Sequence, residues 1–197
     1  MKTLILLCSL FICACSVAPI NTVTTARPLG KDNNQGTFGV VPTGLIYTRG
    51  VTEKIDLSLG AEIQIGLMFS VLAKINVKDG GENGLSIAPL FGAGYGADLG
   101  NTKSLFSGLV LSYRKDSFEP FLTGRVNWVS WKVDELTGSN RDDLIKIPSY
   151  KKTFYYGQAD VGFNYITQKA HIALGVHGFL FPENQAYAPF FDVGYRF

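Results

Sequence analysis

The sequence predicts an all-β protein, an antiparallel transmembrane β-barrel of ten strands, with eight as the alternative count. Three observations carry this expectation. Glycine and aromatics dominate, with Gly 22, Phe 14 and Tyr 9 among 197 residues, a composition that favours strands and turns over helices. Segments of roughly 9 to 16 residues alternate in polarity between turn clusters, and most match the roughly 9 to 11 residues a tilted strand needs to cross a bilayer. The polar faces of these segments carry Gly, Ser, Asn and Gln with isolated charges, whereas the outer face of a soluble sheet is rich in Lys and Glu. With 46% hydrophobic and only 17% charged residues, the chain has too much apolar surface for a disordered tail or a charged coiled coil. The apolar run at residues 4–14 falls short of the roughly 20 residues of a spanning helix, so a helical membrane bundle is excluded.

In chain order, Met1, Lys2 and Thr3 precede the apolar stretch Leu4-Ile5-Leu6-Leu7-Cys8-Ser9-Leu10-Phe11-Ile12, the pattern of a secretory signal peptide over residues 1–14. Its end, Ile12-Cys13-Ala14-Cys15-Ser16, resembles the lipobox of bacterial lipoproteins, and the resemblance implies lipidation at Cys15. An ordinary signal peptide cut near Ala18 is the plainer alternative. Cys8 and Cys13 lie within the signal, which leaves Cys15 alone, so no internal disulfide and no thiolate zinc site is expected. In the resembled lipoproteins an Asp after the lipidated cysteine causes retention at the inner membrane. Here that position is Ser16, which implies passage to the outer membrane. Residues 15–21 then read as a lipidated tether and 22–197 as the barrel. One acylated terminus anchors firmly only with a second membrane signal, which a barrel would supply.

The predicted strands are 22–30, 37–48, 55–65, 70–78, 85–97, 104–114, 118–133, 153–166, 171–181 and 187–197. Turn clusters such as Lys31-Asp32-Asn33-Asn34, Asp79-Gly80-Gly81-Glu82-Asn83-Gly84 and Pro182-Glu183-Asn184 separate them. The final strand shows the alternation plainly. Tyr187, Pro189, Phe191, Val193, Tyr195 and Phe197 share one face, and Ala188, Phe190, Asp192, Gly194 and Arg196 share the other. Tyrosines at strand ends, Tyr155 with Tyr165 and Tyr187 with Tyr195, fall where interfacial girdles would sit. Both ends of such a barrel face the periplasm, so the strand count is even. Segment 22–30 is the tenth strand in this threading; the eight-strand alternative makes it a periplasmic tether and divides residues 55–78 differently. The long break over 134–152 falls on the extracellular side.

The ending Phe191-Asp192-Val193-Gly194-Tyr195-Arg196-Phe197 is similar to the terminal targeting strand of small bacterial outer-membrane β-barrel proteins. The resemblance implies that Val193, Tyr195 and Phe197 form an assembly signal read by the barrel assembly machinery. It also implies outer-membrane lipid as the surrounding partner and a bacterial outer-membrane location.

Projected inward, the alternation collects Asp56, Glu62, Asp160 and Asp192 with Lys74, Arg125 and Arg196 as a lumen charge cluster. Such charges either ring a narrow pore or pair with one another to fill a small interior. His171 and His177 share one inward strand face six residues apart, about 20 Å, which is too far to chelate one metal together. The His-x-Ser arrangement of outer-membrane deacylases is missing, since Ala173 and Phe179 stand at the second positions after these histidines. Gly92-Ala93-Gly94-Tyr95-Gly96 lacks the spacing and following helix of a nucleotide loop and reads as a lumen groove or strand kink. The basic residues Arg141, Lys146, Lys151 and Lys152 lie beside Asp142 and Asp143, and net charge is only +2, so nucleic acid is not an expected partner.

These readings predict a non-enzymatic, monomeric outer-membrane lipoprotein with a structural, adhesive or narrow-pore role, no catalytic residues, no cofactor and no metal. A membrane-embedded lipid hydrolase and a periplasmic β-sandwich lipoprotein are the alternatives. Metabolic labelling with a fatty acid should mark the wild type and not Cys15→Ser; equal labelling would refute lipidation. Deleting Phe197 should lower the membrane yield far more than truncating the loop at 134–152, and equal yields would refute the assembly-signal role.

Overall fold

The computed structural model describes residues 19–20, 23–40, 42–64, 66–97, 101–133, 136–140, 143–147 and 149–197, with backbone alone over 136–140 and 143–147. The predicted signal peptide, Cys15 and residues 15–18 and 21–22 lie outside the described residues, as do the side chains of Arg141 and Lys146.

Ten strands close into one antiparallel barrel: β1 (Asn34–Val40), β2 (Thr43–Gly50), β3 (Ile55–Ile63), β4 (Leu67–Ile75), β5 (Gly84–Ala97), β6 (Asn101–Arg114), β7 (Phe118–Val133), β10 (Tyr150–Ile166), β11 (Ala170–Leu180) and β12 (Gln185–Arg196). Between β7 and β10, β8 (Leu136–Asn140) and β9 (Asp143–Ile147) form a separate hairpin. Closure is made by β1, which pairs with β2 on one side and β12 on the other, Gln35 opposite Arg196 and Gly39 opposite Asp192. A closed sheet leaves no free edge, which separates this architecture from the β-sandwich alternative. The upper rim is defined here as the one bearing β8 and β9, and the lower rim as the one where β12 ends.

The count of ten holds, but two strands differ from the sequence reading. Residues 23–30 of the expected first strand form no strand; they run through the barrel interior as a strap. The expected strand 37–48 is instead two, β1 and β2, joined by a tight turn at Pro42. Proline has no N–H for a ladder and ends β1, and Thr43 Oγ1 donates to the Val40 carbonyl at 3.0 Å across the turn. The wall therefore begins at Asn34 rather than at residue 22.

The wall is uneven in height. Strands β1 to β4 have 7 to 9 residues, whereas β5, β6, β7 and β10 have 14 to 17. One side of the upper mouth is thus low.

Burial is inverted relative to a soluble domain. Exposed Phe, Leu, Val, Ile and Tyr side chains, including Leu59, Phe91, Val126, Val161 and Val193, cover the outside at 36% to 68% exposure. The inside holds Asp56, Glu62, Lys74, Glu119, Arg125, Asn127, Gln158 and Asp160, each below 6%. Soluble proteins almost never bury this many charges while displaying so wide an apolar surface.

Outward aromatics collect at two levels. Tyr47, Tyr113, Phe118, Tyr165, Tyr195 and Phe197 lie near the lower rim, with Phe118 directly opposite Tyr165 and the Tyr47 and Phe197 rings 6.4 Å apart. Tyr95, Trp128, Tyr155 and Tyr187 lie higher, with Trp128 directly opposite Tyr155. From Tyr155 to Tyr165 is ten residues, about 33 Å along the strand and about 25 Å along the barrel axis at the usual tilt of such barrels.

Candidate functional site: the occupied lumen

A chain segment inside a closed barrel cannot join the sheet, because the wall strands have already spent their backbone groups on one another. Its amides and carbonyls need other partners. The strap finds them in inward side chains of the wall.

At the top, the Ile20 amide donates to Glu62 Oε2 at 2.9 Å, and Gln158 Nε2 donates to the Ile20 carbonyl at 3.2 Å. Arg125 Nη2 donates to the Pro19 carbonyl, while Arg125 Nε is held by Gln158 Oε1 at 2.9 Å and its guanidinium lies 4.9 Å over the Phe106 ring. The Ile20 side chain is buried with Val129, Tyr156, Phe179 and Ala188, an inward aromatic layer that also takes in Phe154 and Phe181. Lower down, Thr123 Oγ1 donates to the Val23 carbonyl at 2.8 Å and Asn164 Nδ2 to the Thr24 carbonyl at 2.6 Å. Val23 and Ala26 pack against Leu72, Ala88, Leu90, Phe106 and Val110.

Near the lower rim the strap is held by charge. Lys74 Nζ sits 3.1 Å from Asp56 Oδ2 and donates to the carbonyls of Thr25 and Arg27 at 3.1 and 2.6 Å. Asp56 in turn accepts from the Leu29 amide at 3.1 Å. Arg27 enters a cage of its own, with Nη1 3.3 Å from Asp79 Oδ1 and bonded to the Gly81 carbonyl, Nη2 donating to the Gly84 carbonyl at 2.9 Å, and Nε 3.6 Å from Glu119 Oε1. Thr25 Oγ1 donates to the same Glu119 oxygen at 2.6 Å. Ser112 accepts from the Ala26 amide at 3.0 Å, and Asn76 Nδ2 donates to the Ala26 carbonyl at 2.9 Å.

Of the seven predicted lumen charges, Asp56, Glu62, Lys74 and Arg125 all touch the strap. Asp160 takes Gln158 Nε2 and His177 Nδ1 on one oxygen, both at 2.8 Å. Asp192 is buried beside Gly39, and Arg196 stands at the lower rim, donating from Nε to Gln35 at 3.3 Å. Arg125 and Arg196 are expected to neutralise lumen acids; among their bonds, Arg125 donates to Gln158 and to the Pro19 carbonyl of the strap, and Arg196 donates to Gln35. Val193, Tyr195 and Phe197 face outward on or just beyond β12, at 41%, 51% and 68% exposure.

Both histidines point inward and are buried. His177 lies with its ring 4.6 Å from that of Phe190, and His171 packs over Gly194. Neither reaches the outer surface, where a lipid-modifying histidine would have to stand. The glycines of 92–96 that face inward hollow the wall of β5: a Cβ on Gly92 would overlap the Phe106 ring, on Gly94 the Pro19 ring and on Gly96 the Met68 sulfur. The expected groove exists, and it is filled.

Glu119, Arg27 and the strap itself are absent from the sequence-based expectations. Glu119 shares the inward face of β7 with Arg125 and was available from alternation alone. Arg27 and Pro28 were the signal against a spanning strand, since alternation places Arg27 on one face with Val23 and Leu29, and Pro28 cannot donate to a ladder. Beside the strap lies a cavity of about 60 Å³ lined by residues including Thr24, Thr37, Lys74, His171 and Asp192, room for a few waters.

Two arginine pairs allow a direct comparison. Arg27→Ala should destabilise by about 3 to 5 kcal/mol, because it strands the buried Glu119 carboxylate. Arg49→Ala, which loses an exposed pair with Asp32 at 3.3 Å, should cost at most about 1 kcal/mol. Arg125→Ala should likewise exceed Val193→Ala, whose side chain meets the surroundings rather than the lumen. The temperature at which the folded band vanishes on a gel of unboiled protein would rank all four, and equal shifts would mean the lumen bonds hold nothing.

No family model and no curated protein matches the chain. Among solved structures, the chain is similar to the N-terminal β-barrel domain of Pseudomonas aeruginosa OprF, at 11% identity over 85% of this chain and 99% of that one, with a TM-score of 0.41.

Proposed function

We propose that this protein is a non-enzymatic outer-membrane β-barrel lipoprotein that spans the bilayer as a plugged cylinder and serves a structural or adhesive role rather than a conducting one. The observation that carries the reading is the inverted burial: a predominantly apolar outside around a charged inside. Exposing that surface to water would cost roughly 25 cal/mol for each Å² left uncovered, which only a hydrocarbon solvent relieves. The separation of the aromatic levels, about 25 Å, is the height of the apolar band in barrels of this class.

Occupancy of the lumen favours plug over pore. Ten strands enclose slightly more space than eight, whose interior side chains alone suffice to fill. Here the strap and its partners take up the difference. The β8 and β9 hairpin stands on the rim that such barrels turn outward, which gives a surface for adhesion. The terminal strand supports assembly in the same scheme, with Val193, Tyr195 and Phe197 presented on the outside of the β1 and β12 seam, where barrel assembly machinery would read them.

Planar-bilayer recording tests the plug. The wild type should show no steady channels, and a variant lacking residues 23–29 should conduct while keeping its heat-modifiable gel shift. Equal conductance of the two folded proteins would overturn the plugged reading. Absence of any heat-modifiable shift in the wild type would overturn the membrane barrel.

A further inference from the structure

The strap has a direction, and the strand register measures it. Pro19 occupies the hollow at Gly94, which lies three residues from Ala97 at the upper end of β5 and ten from Gly84 at its lower end. The Ile20 amide is bound by Glu62, one residue from the upper end of β3. From there the strap descends past Thr123 and Asn164 to Asn76, Asp56 and Asp79. A turn at the lower rim, where the Asp32 amide donates to the Gly50 carbonyl at 2.9 Å, then feeds it into β1.

Chain reach converts this into a topological constraint. Ten residues of tilted strand put the lower rim about 25 Å below the level of Pro19, and three residues put the upper rim within about 10 Å. Four residues, the separation of Cys15 from Pro19, span at most about 14 Å even when fully extended. The way down is also filled by the strap and the side chains bound to it. The low wall of β1 to β4 shortens the route from the upper mouth to the outside.

We infer that the chain preceding Pro19 leaves the barrel through the upper rim, so that Cys15, and an acyl group carried on it, lie on the side of the β8 and β9 hairpin and opposite the end of β12. Combined with the outer-membrane reading, on which this part rests, the lipid anchor enters the outer leaflet and the barrel is threaded on its own N-terminal segment. The partner implied is a lipid surface on the far side from the periplasm. The strap's polar contacts then bear any pull between anchor and barrel.

Epitopes inserted into the full-length chain after Val17, between Asn140 and Asp143, and at Asp116 in the lower turn, probed on intact and on permeabilised cells, test this. The first two should be reached on intact cells and the third only after permeabilisation. An epitope after Val17 that follows the Asp116 epitope would overturn the inference whichever way the barrel faces. Failure of the 140–143 and Asp116 epitopes to separate across a membrane would instead overturn the outer-membrane reading. A second measurement then decides the threading alone: Pro19→Cys with Ser104→Cys, two side chains that crowd the same hollow at Gly94, should form a disulfide in purified folded protein. Its absence from protein that keeps the heat-modifiable shift would overturn the inference, and its presence sustains it without a membrane.

Discussion

The constraint on which the rest of this molecule depends is the hydrogen bonding of one segment of backbone held inside a closed sheet. Every strand of a barrel wall uses its N–H and C=O groups on its two neighbours, so a chain passing through the middle has no ladder to join. Leaving such groups unpaired in a dry interior costs on the order of 1 to 3 kcal/mol each. The inward polar side chains answer this need one at a time. Glu62, Gln158, Thr123, Asn164, Lys74, Asn76, Ser112 and Asp56 each bind a backbone group of the strap. The lumen is polar because a peptide backbone lies in it.

This view also explains the arrangement of charge. A pore lined by charged rings would aim its side chains at open water. Here Lys74 is drawn to Asp56 and to two strap carbonyls, and Arg27 comes from the strap itself into an acidic and carbonyl-lined cage. Breaking either arrangement leaves a buried ion alone, which is why the strap and the lower wall hold each other in place. The upper half adds apolar packing of Ile20 against inward aromatics to the bonds from Glu62, Gln158 and Arg125, so ion pairs dominate at the lower end and packing joins single hydrogen bonds at the upper.

The sequence was legible wherever its pattern had period two. The outward Tyr155, Val161 and Tyr165 against the inward Gln158, Asp160 and Asn164 of β10 follow from alternation, as do the faces of β3 and β12, because a side chain in a pleated strand must point opposite to its neighbour. Illegible were the places where local chemistry and pattern disagreed. Val23, Thr24 and Thr25 are β-branched and suit a strand, yet Arg27 and Pro28 do not, so the two halves of the segment point to different structures. In residues 37–48 the apolar content runs on through Pro42, and the break into β1 and β2 comes from the proline's missing N–H rather than from a change in pattern.

The sequence by itself therefore determined the fold class and which residues face in or out. Both follow from composition and from a backbone geometry that repeats every two residues. Only the tertiary structure decided what the inward residues face. Whether Lys74 meets a pore, another charge or a stretch of its own chain depends on contacts between positions such as Lys74 and Arg27, 47 residues apart, or Gln158 and Ile20, 138 apart. No periodicity encodes those distances. They arise when the sheet closes and one segment is caught inside it.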